Sequence, residues 1–107
     1  MKSLCLSFLA IVLSTGPSYS ASDKEIILSF LNQNQPRNAL DYALSKSKAY
    51  INDARYHFLL GRAYQELKLN VESLQHYSES IALDRLNYKA FINRGLVKGA
   101  LGNLRSS

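Results

Sequence analysis

Few residues in this 107-residue sequence could do chemistry, and the two histidines come first because imidazole binds metals and exchanges protons near neutral pH. His57 and His76 are nineteen residues apart, and no cluster of carboxylates stands near either one. A structural zinc site needs four protein ligands, and a catalytic site needs three. The sequence therefore predicts no metal site and no cofactor.

A nucleophilic active site is not expected either. No serine stands in the Gly-x-Ser-x-Gly pattern of a nucleophile elbow, and the sequence contains no glycine-rich phosphate-binding loop. The single cysteine, Cys5, lies in an apolar N-terminal run, so no disulfide can form within the chain. We expect a protein without a catalytic site.

The net charge is modest and evenly distributed. Thirteen lysines and arginines outweigh eight acidic residues to give +5, yet the basic residues are scattered among the acidic ones. A nucleic-acid-binding arm carries its basic residues in runs, so no nucleic-acid partner is expected. Association with an anionic membrane surface is an alternative, because a basic series stands near the C-terminal end. That series comprises Arg85, Lys89, Arg94, Lys98 and Arg105.

The first twenty residues have the three-part composition of a signal peptide. Lys2 supplies a positive charge, residues 4–13 are almost wholly apolar, and residues 14–20 are small or helix-breaking. Cleavage after Ser20 would leave residues 21–107, whose net charge is +4 because Lys2 is lost. An uncleaved anchor is the alternative, but a run of ten apolar residues is shorter than the roughly twenty that span a membrane. The predicted location is extracytoplasmic, either periplasmic or secreted.

Two amphipathic helices are predicted between residues 54 and 83. Apolar residues recur at three- and four-residue steps, residues 68–70 interrupt the pattern, and a second stripe follows. The first stripe comprises Tyr56, Leu59, Leu60, Ala63, Tyr64 and Leu67, and the second comprises Val71, Leu74, Tyr77, Ser78 and Ile81. The pair is predicted to form a helical hairpin with a short turn.

A regular spacing relates this segment to the one that follows. Gly61 is separated from Gly95 by the same number of residues as His57 is from Phe91. The spacing matches the period of the tetratricopeptide repeat, about 34 residues, and the sequence resembles that family. The residues that carry the resemblance are Leu60-Gly61, Tyr64 and Tyr77.

Three positions depart from the family's pattern. His57 stands where a large aromatic residue is usual, Ser73 where Ala is usual, and Arg85 where Pro is usual. Ser73 is still small enough for close helix approach. Gly61 is expected to let the second helix of the hairpin approach the backbone of the first.

The resemblance implies an all-α fold in which antiparallel helix hairpins stack as a short right-handed α-solenoid of about two and a half units. Residues 21–53 are predicted to form a degenerate first hairpin, with a helix capped by Ser22 or Asp23 and a second helix beginning at Pro36. Residues 54–87 are expected to form a full repeat. Residues 88–107 form an incomplete repeat with its first helix only, and residues 102–104 resemble the turn that would follow.

This incomplete third hairpin is expected to leave apolar side chains without cover. Burying each large apolar side chain is worth roughly 1.5–3 kcal/mol. One expectation is that a partner covers this edge, or that a second copy covers it in a homodimer. The other is that the chain is the truncated remnant of a longer repeat protein. The side chains concerned are Leu96, Val97, Leu101 and Leu104.

The resemblance also implies a function, because the first helices of such repeats line a concave groove that binds an extended peptide or a partner helix. The groove positions carried over to this sequence mix cationic and apolar character, which suits a partner with an acidic group beside a hydrophobic anchor. The alternative is a solvated face in which Phe58 and Leu59 pack between repeats. The positions are Arg55, Phe58, Leu59, Arg62, Gln65 and Glu66, followed by Lys89, Ile92, Asn93 and Leu96.

Some family members grip a C-terminal carboxylate with Lys and Asn in the groove. Lys24, Lys89 and Asn93 partly match that arrangement. The match is incomplete because Leu28 takes the place of the first repeat's Asn.

Overall fold

The computed structural model describes residues 21–106, and it describes side chains as far as Gly102. This part of the chain is helical and contains no strand. The α-helices are α1 (Asp23–Asn32), α2 (Pro36–Lys46), α3 (Ala54–Glu66), α4 (Asn70–Leu83) and α5 (Tyr88–Ser106), with a 3₁₀ turn at Ser47–Tyr50 between α2 and α3. The proposed signal peptide lies outside the described residues. Within them, no helix combines the length and apolarity that crossing a bilayer requires.

Short polar side chains begin three of these helices. Ser22 forms a capping box with Glu25, in which each side chain bonds the backbone N–H of the other residue. Asp53 accepts the Tyr56 N–H at 3.0 Å at the start of α3. Asn87 accepts the Ala90 N–H at 3.3 Å at the start of α5. These bonds satisfy backbone donors that the first helical turn leaves unpaired.

The turns after α1 and α3 have the same geometry. Asn34 and Lys68, which have the same sequence spacing as Gly61 and Gly95, are left-handed with φ of 61° and 65°. In both turns, the N–H of the residue after the left-handed one donates to the carbonyl oxygen five residues before it. Gln35 donates to Phe30 at 2.8 Å, and Leu69 donates to Tyr64 at 2.9 Å. This is the Schellman arrangement, which satisfies free carbonyls at a helix C-terminus and reverses the chain.

Helices α3 and α4 pack as an antiparallel pair. The Ser73 hydroxyl donates to the Gly61 carbonyl at 2.8 Å, and the Ser80 hydroxyl donates to the Ala54 carbonyl at 2.7 Å. The Tyr77 ring lies so close to Gly61 that an added Cβ would be 2.6 Å from two ring carbons. The expected role of Gly61 in close helix approach is therefore confirmed.

The buried side chains form two clusters. The first joins α1, α2 and α3, and the second joins α4 and α5. Phe58 is half-buried and packs against both, so it connects them. The first cluster comprises Ile27, Leu31, Ala39, Leu40, Ala43, Tyr56, Leu59, Leu60 and Ala63, and the second comprises Tyr77, Ile81, Ala90 and Val97.

Polar contacts tie the first helical pair to α3. Asp23 accepts hydrogen bonds from the hydroxyls of Tyr42 at 2.5 Å and Tyr50 at 2.7 Å. Lys24 pairs with Asp53 at 2.6 Å, which links the start of α1 to the cap of α3. Among the described residues, no buried side-chain nitrogen or oxygen lacks a hydrogen-bond partner. The hairpins are therefore held together by specific polar contacts as well as by apolar packing.

Three sequence-based expectations differ from the structure. Val71 is 57 % exposed because it stands in the first turn of α4, beyond the contact with α3. Val97 is 1 % exposed and Leu101 packs against the same cluster, because α4 covers this side of α5. Of the other two side chains expected to lack cover, Leu96 is 61 % exposed and that of Leu104 lies outside the described side chains. No turn forms at residues 102–104, since α5 continues to Ser106 and Gly102 does not adopt a positive φ.

Candidate peptide-binding groove

A cavity of about 450 Å³ is lined by residues of α1, α3, the loop before α5 and the first turn of α5. We call it the α3–α5 groove. The helices position it because their side chains at three- and four-residue steps lie on one side of each helix. Its lining residues are Leu28, Arg55, Phe58, Leu59, Arg62, Asp84, Leu86, Asn87, Tyr88 and Lys89.

The apolar floor of the groove comes from α3. The Phe58 ring lies 5.7 Å from the Tyr77 ring, centroid to centroid, at a tilted angle of 49°. Such tilted aromatic pairs are favourable and fix the ring in place. Leu59 is only 1 % exposed, so it supports the floor from beneath and belongs to the core. Phe58 is left as the apolar side chain of α3 that a ligand could touch.

The cations of the groove differ in how far they are already paired. Arg62 donates to Glu66 at 3.3 Å along the same helix. Arg55 and Lys89 are exposed, and neither forms an ion pair within 4.0 Å among the described side chains. Asp84 also lines the groove and partly offsets their charge. Arg55 and Lys89 are therefore the cations free to pair with an acidic ligand.

Two polar residues expected in the groove are engaged by Tyr77 instead. The Tyr77 hydroxyl donates to the Gln65 side-chain oxygen at 2.6 Å, and the Asn93 amide donates to that hydroxyl at 3.4 Å. Burial raises the pKa of Tyr77 to about 12, so the phenol remains a neutral donor at ordinary pH. Gln65 and Asn93 thus help to hold α3, α4 and α5 together.

The structure brings five of the ten expected groove residues to one cavity: Arg55, Phe58, Leu59, Arg62 and Lys89. The other five do not line it. Glu66 pairs with Arg62, while Ile92 and Leu96 are exposed on α5, at 56 % and 61 %.

The carboxylate-gripping arrangement is also incomplete in the structure. Lys24 is engaged with Asp53, and Leu28 lines the groove as an apolar residue. Asn93 is bonded to Tyr77. Of the three residues that partly match the arrangement, only Lys89 lines the groove without such a contact.

Residues 84–88, which form the loop between α4 and α5 and the start of α5, were not predicted to line the groove. Leu86 is 89 % exposed and Tyr88 is 65 % exposed, beside Asp84 and Asn87. The order of helices along the chain could have indicated this, because a loop that leads into a groove-lining helix lies near the opening of the groove. These two large apolar residues extend the apolar surface that starts at Phe58.

Comparison with known proteins adds no family. No family model matches the sequence, and no curated protein shows significant similarity to it.

Proposed function

We propose that this chain is an exported, non-catalytic protein-interaction module of the tetratricopeptide type. It binds a peptide or partner segment in the α3–α5 groove. The observation that carries the proposal is that Arg55, Lys89 and the half-buried Phe58 line one cavity. Export is supported by the composition of residues 1–20.

The repeat architecture is supported by local geometry that recurs with one sequence spacing. The left-handed residues Asn34 and Lys68 are separated by that spacing, and so are the helix caps Asp53 and Asn87. The buried residues Ala39 and Ser73 are separated by the same number of residues. Recurrence in turns, caps and core together supports successive hairpins of one stacked solenoid.

The groove chemistry favours a ligand with acidic and apolar groups side by side. Phe58, Leu86 and Tyr88 offer apolar surface, and two free cations flank it. An exposed ion pair contributes only about 0.2–1 kcal/mol. Affinity must then come mainly from burying apolar side chains of the ligand, while the cations select for acidic neighbours.

The test is binding of a fluorescein-labelled peptide of alternating Asp and Leu, compared with a matched peptide in which Asn replaces each Asp. We expect the Arg55→Glu, Lys89→Glu double variant to bind the acidic peptide about tenfold or more weakly, since two attractions become repulsions. The Arg37→Glu, Lys48→Glu double variant is the matched control. It makes the same change of charge at exposed sites outside the groove.

Fluorescence anisotropy gives the affinities. Equal weakening in both double variants would mean that binding follows net charge and not the groove. Equal affinity for the Asp and Asn peptides would contradict the preference for an acidic ligand.

A further inference from the structure

The two histidines, far apart in sequence, meet between α3 and α4. The Nδ1 atoms of His57 and His76 are 3.1 Å apart, and the ring centroids are 5.3 Å apart. They face cavities whose lining residues are not shared with the α3–α5 groove. The peptide-binding proposal therefore makes no use of this pair.

A backbone contact fixes the hydrogen on His57. Its Nε2 lies 2.9 Å from the Ile51 carbonyl oxygen. A carbonyl can only accept, so Nε2 carries the hydrogen and donates it. In the neutral ring, Nδ1 then has a free lone pair, and it lies 3.1 Å from Nδ1 of His76. A ligating histidine is typically held in this way, with its other N–H donated to a backbone carbonyl.

His76 is held in place by a second ring. The Tyr64 ring stacks on it with centroids 5.4 Å apart and an interplanar angle of 12°. Only a neutral imidazole binds a metal, because the ligating ring nitrogen needs a free lone pair. Without a metal, the Nδ1–H of His76 donates to Nδ1 of His57. When that hydrogen moves to Nε2 of His76, Nδ1 of His76 gains a free lone pair as well.

The spacing of the two nitrogens suits one metal ion. With metal–nitrogen bonds of about 2.0–2.1 Å, a separation of 3.1 Å corresponds to an angle of about 98° at the metal. That value lies between square and tetrahedral geometry. The adjoining cavity is open, so water can reach the remaining positions.

We propose that His57 and His76 form a two-imidazole site for a divalent late first-row transition metal. Imidazole suits Zn²⁺, Ni²⁺ and Cu²⁺, and Cu²⁺ binds most tightly in this series. In residues 21–102 no three acidic, histidine or cysteine side chains converge on such a site. Water completes the coordination. A metal here links α3 to α4.

The test uses the full-length chain with Cys5→Ser in every protein, so that the lone thiol cannot bind metal. Cu²⁺ alone is titrated while tyrosine fluorescence is followed, because Tyr64 stacks on His76 and a bound Cu²⁺ quenches it. We expect one Cu²⁺ per chain. We also expect His57→Gln and His76→Gln each to weaken binding by at least about tenfold. The His57→Gln, His76→Gln double variant measures binding elsewhere, and circular dichroism checks that each variant is folded.

Electron paramagnetic resonance gives an independent readout. Coupling of Cu²⁺ to two imidazole nitrogens in the parent protein, and to one in each single variant, supports the site. Equal Cu²⁺ affinity in the parent and the double variant overturns it. So does a spectrum without two imidazole nitrogens, whatever the outcome of the peptide assay.

Discussion

At Gly61 a single hydrogen decides how closely two helices approach. The Tyr77 ring is fully buried against this position, and its hydroxyl is bonded to Gln65, so the ring cannot easily move away. Gly95, at the corresponding position of the following segment, has nothing within 4 Å of the place that a Cβ would take. The same residue type therefore has opposite packing constraints at two corresponding positions.

We expect Gly61→Ala to lower the free energy of unfolding by about 1–3 kcal/mol, the usual effect of overpacking a filled interior. Gly95→Ala is the matched control. It should raise the free energy of unfolding by up to about 1 kcal/mol, because Ala favours a helix more than Gly does. Urea unfolding followed by circular dichroism measures both. A similar effect from the two substitutions would contradict the packing described around Tyr77.

Asp23 at the start of α1 accepts hydrogen bonds from two tyrosines. Hydrogen bonds from Tyr42 and then from Tyr50 lower the pKa of its carboxyl group, and Lys46 at 4.0 Å acts in the same direction. A carboxyl whose pKa is lowered by folding stabilises the fold above its unfolded pKa of about 4. That stabilisation is lost as the pH falls through the lowered folded value.

We therefore expect Asp23→Asn to destabilise the protein at neutral pH. The difference from the parent protein should shrink on acidification, as the parent loses the contribution of its carboxylate. Asp41→Asn, at an exposed site on α2, is the control and should follow the parent across the whole range. Thermal unfolding at a series of pH values provides the measurement. A constant difference between Asp23→Asn and the parent would show that these bonds do not depend on charge.

At the scale of helices and turns, the chain reverses direction twice by the same Schellman geometry. Asn34 adopts the left-handed conformation at small cost, since Asn is among the residues that tolerate it. Lys68 has no such tolerance, and a left-handed residue with a Cβ is disfavoured by roughly 1–2 kcal/mol. The turn after α3 thus contains local strain that the turn after α1 largely avoids.

Lys68→Gly is accordingly expected to raise the free energy of unfolding by about 0.5–1 kcal/mol, the relief of strain less the entropy that Gly loses on folding. Asn34→Gly should change stability less. Urea unfolding of the two variants, side by side, measures the difference. If Lys68→Gly destabilised the protein, the left-handed turn would not be the feature that limits this loop.

Helix starts and turns were predictable from the sequence because they depend on local chemistry. Ser22, Pro36 and the break at residues 68–70 stand where the structure places the corresponding ends. Burial at helix contacts was harder to predict, since it depends on which neighbour covers each side of a helix. Val97 faces α4 and is buried, while Leu96 faces solvent. Gly102 did not predict the end of α5 correctly, because glycine is compatible with both a helix and a turn.

Half of the residues expected in the candidate groove line it, because helix periodicity predicts which side of a helix a residue lies on but not which neighbour it contacts. Arg55 and Lys89 could be placed from helix periodicity, but the engagement of Gln65 and Asn93 by Tyr77 required the actual packing of α3, α4 and α5. The histidine pair could not be predicted from distance along the sequence, because nineteen residues separate His57 from His76. Ser73 lies opposite Gly61 in the antiparallel pair, and that register also brings His57 opposite His76.

At the scale of the whole described molecule, two core clusters meet at Phe58, and the same ring forms the apolar floor of the groove. Helix α5 adds Lys89 on the groove side, while Phe91, Ile92 and Leu96 remain exposed on it. Ligand contact at the groove should therefore reach the residue on which both clusters pack. The central claim is that binding occurs at this place and not on another apolar or basic surface.

Nuclear magnetic resonance of the isotope-labelled chain, titrated with the acidic Asp–Leu peptide, tests that claim most directly. We predict that the largest amide chemical-shift changes fall on Arg55, Phe58 and Lys89, with smaller changes along α2, which does not line the groove. Largest changes on α2, or around exposed Ile92 and Leu96, would contradict the account and place the binding surface elsewhere.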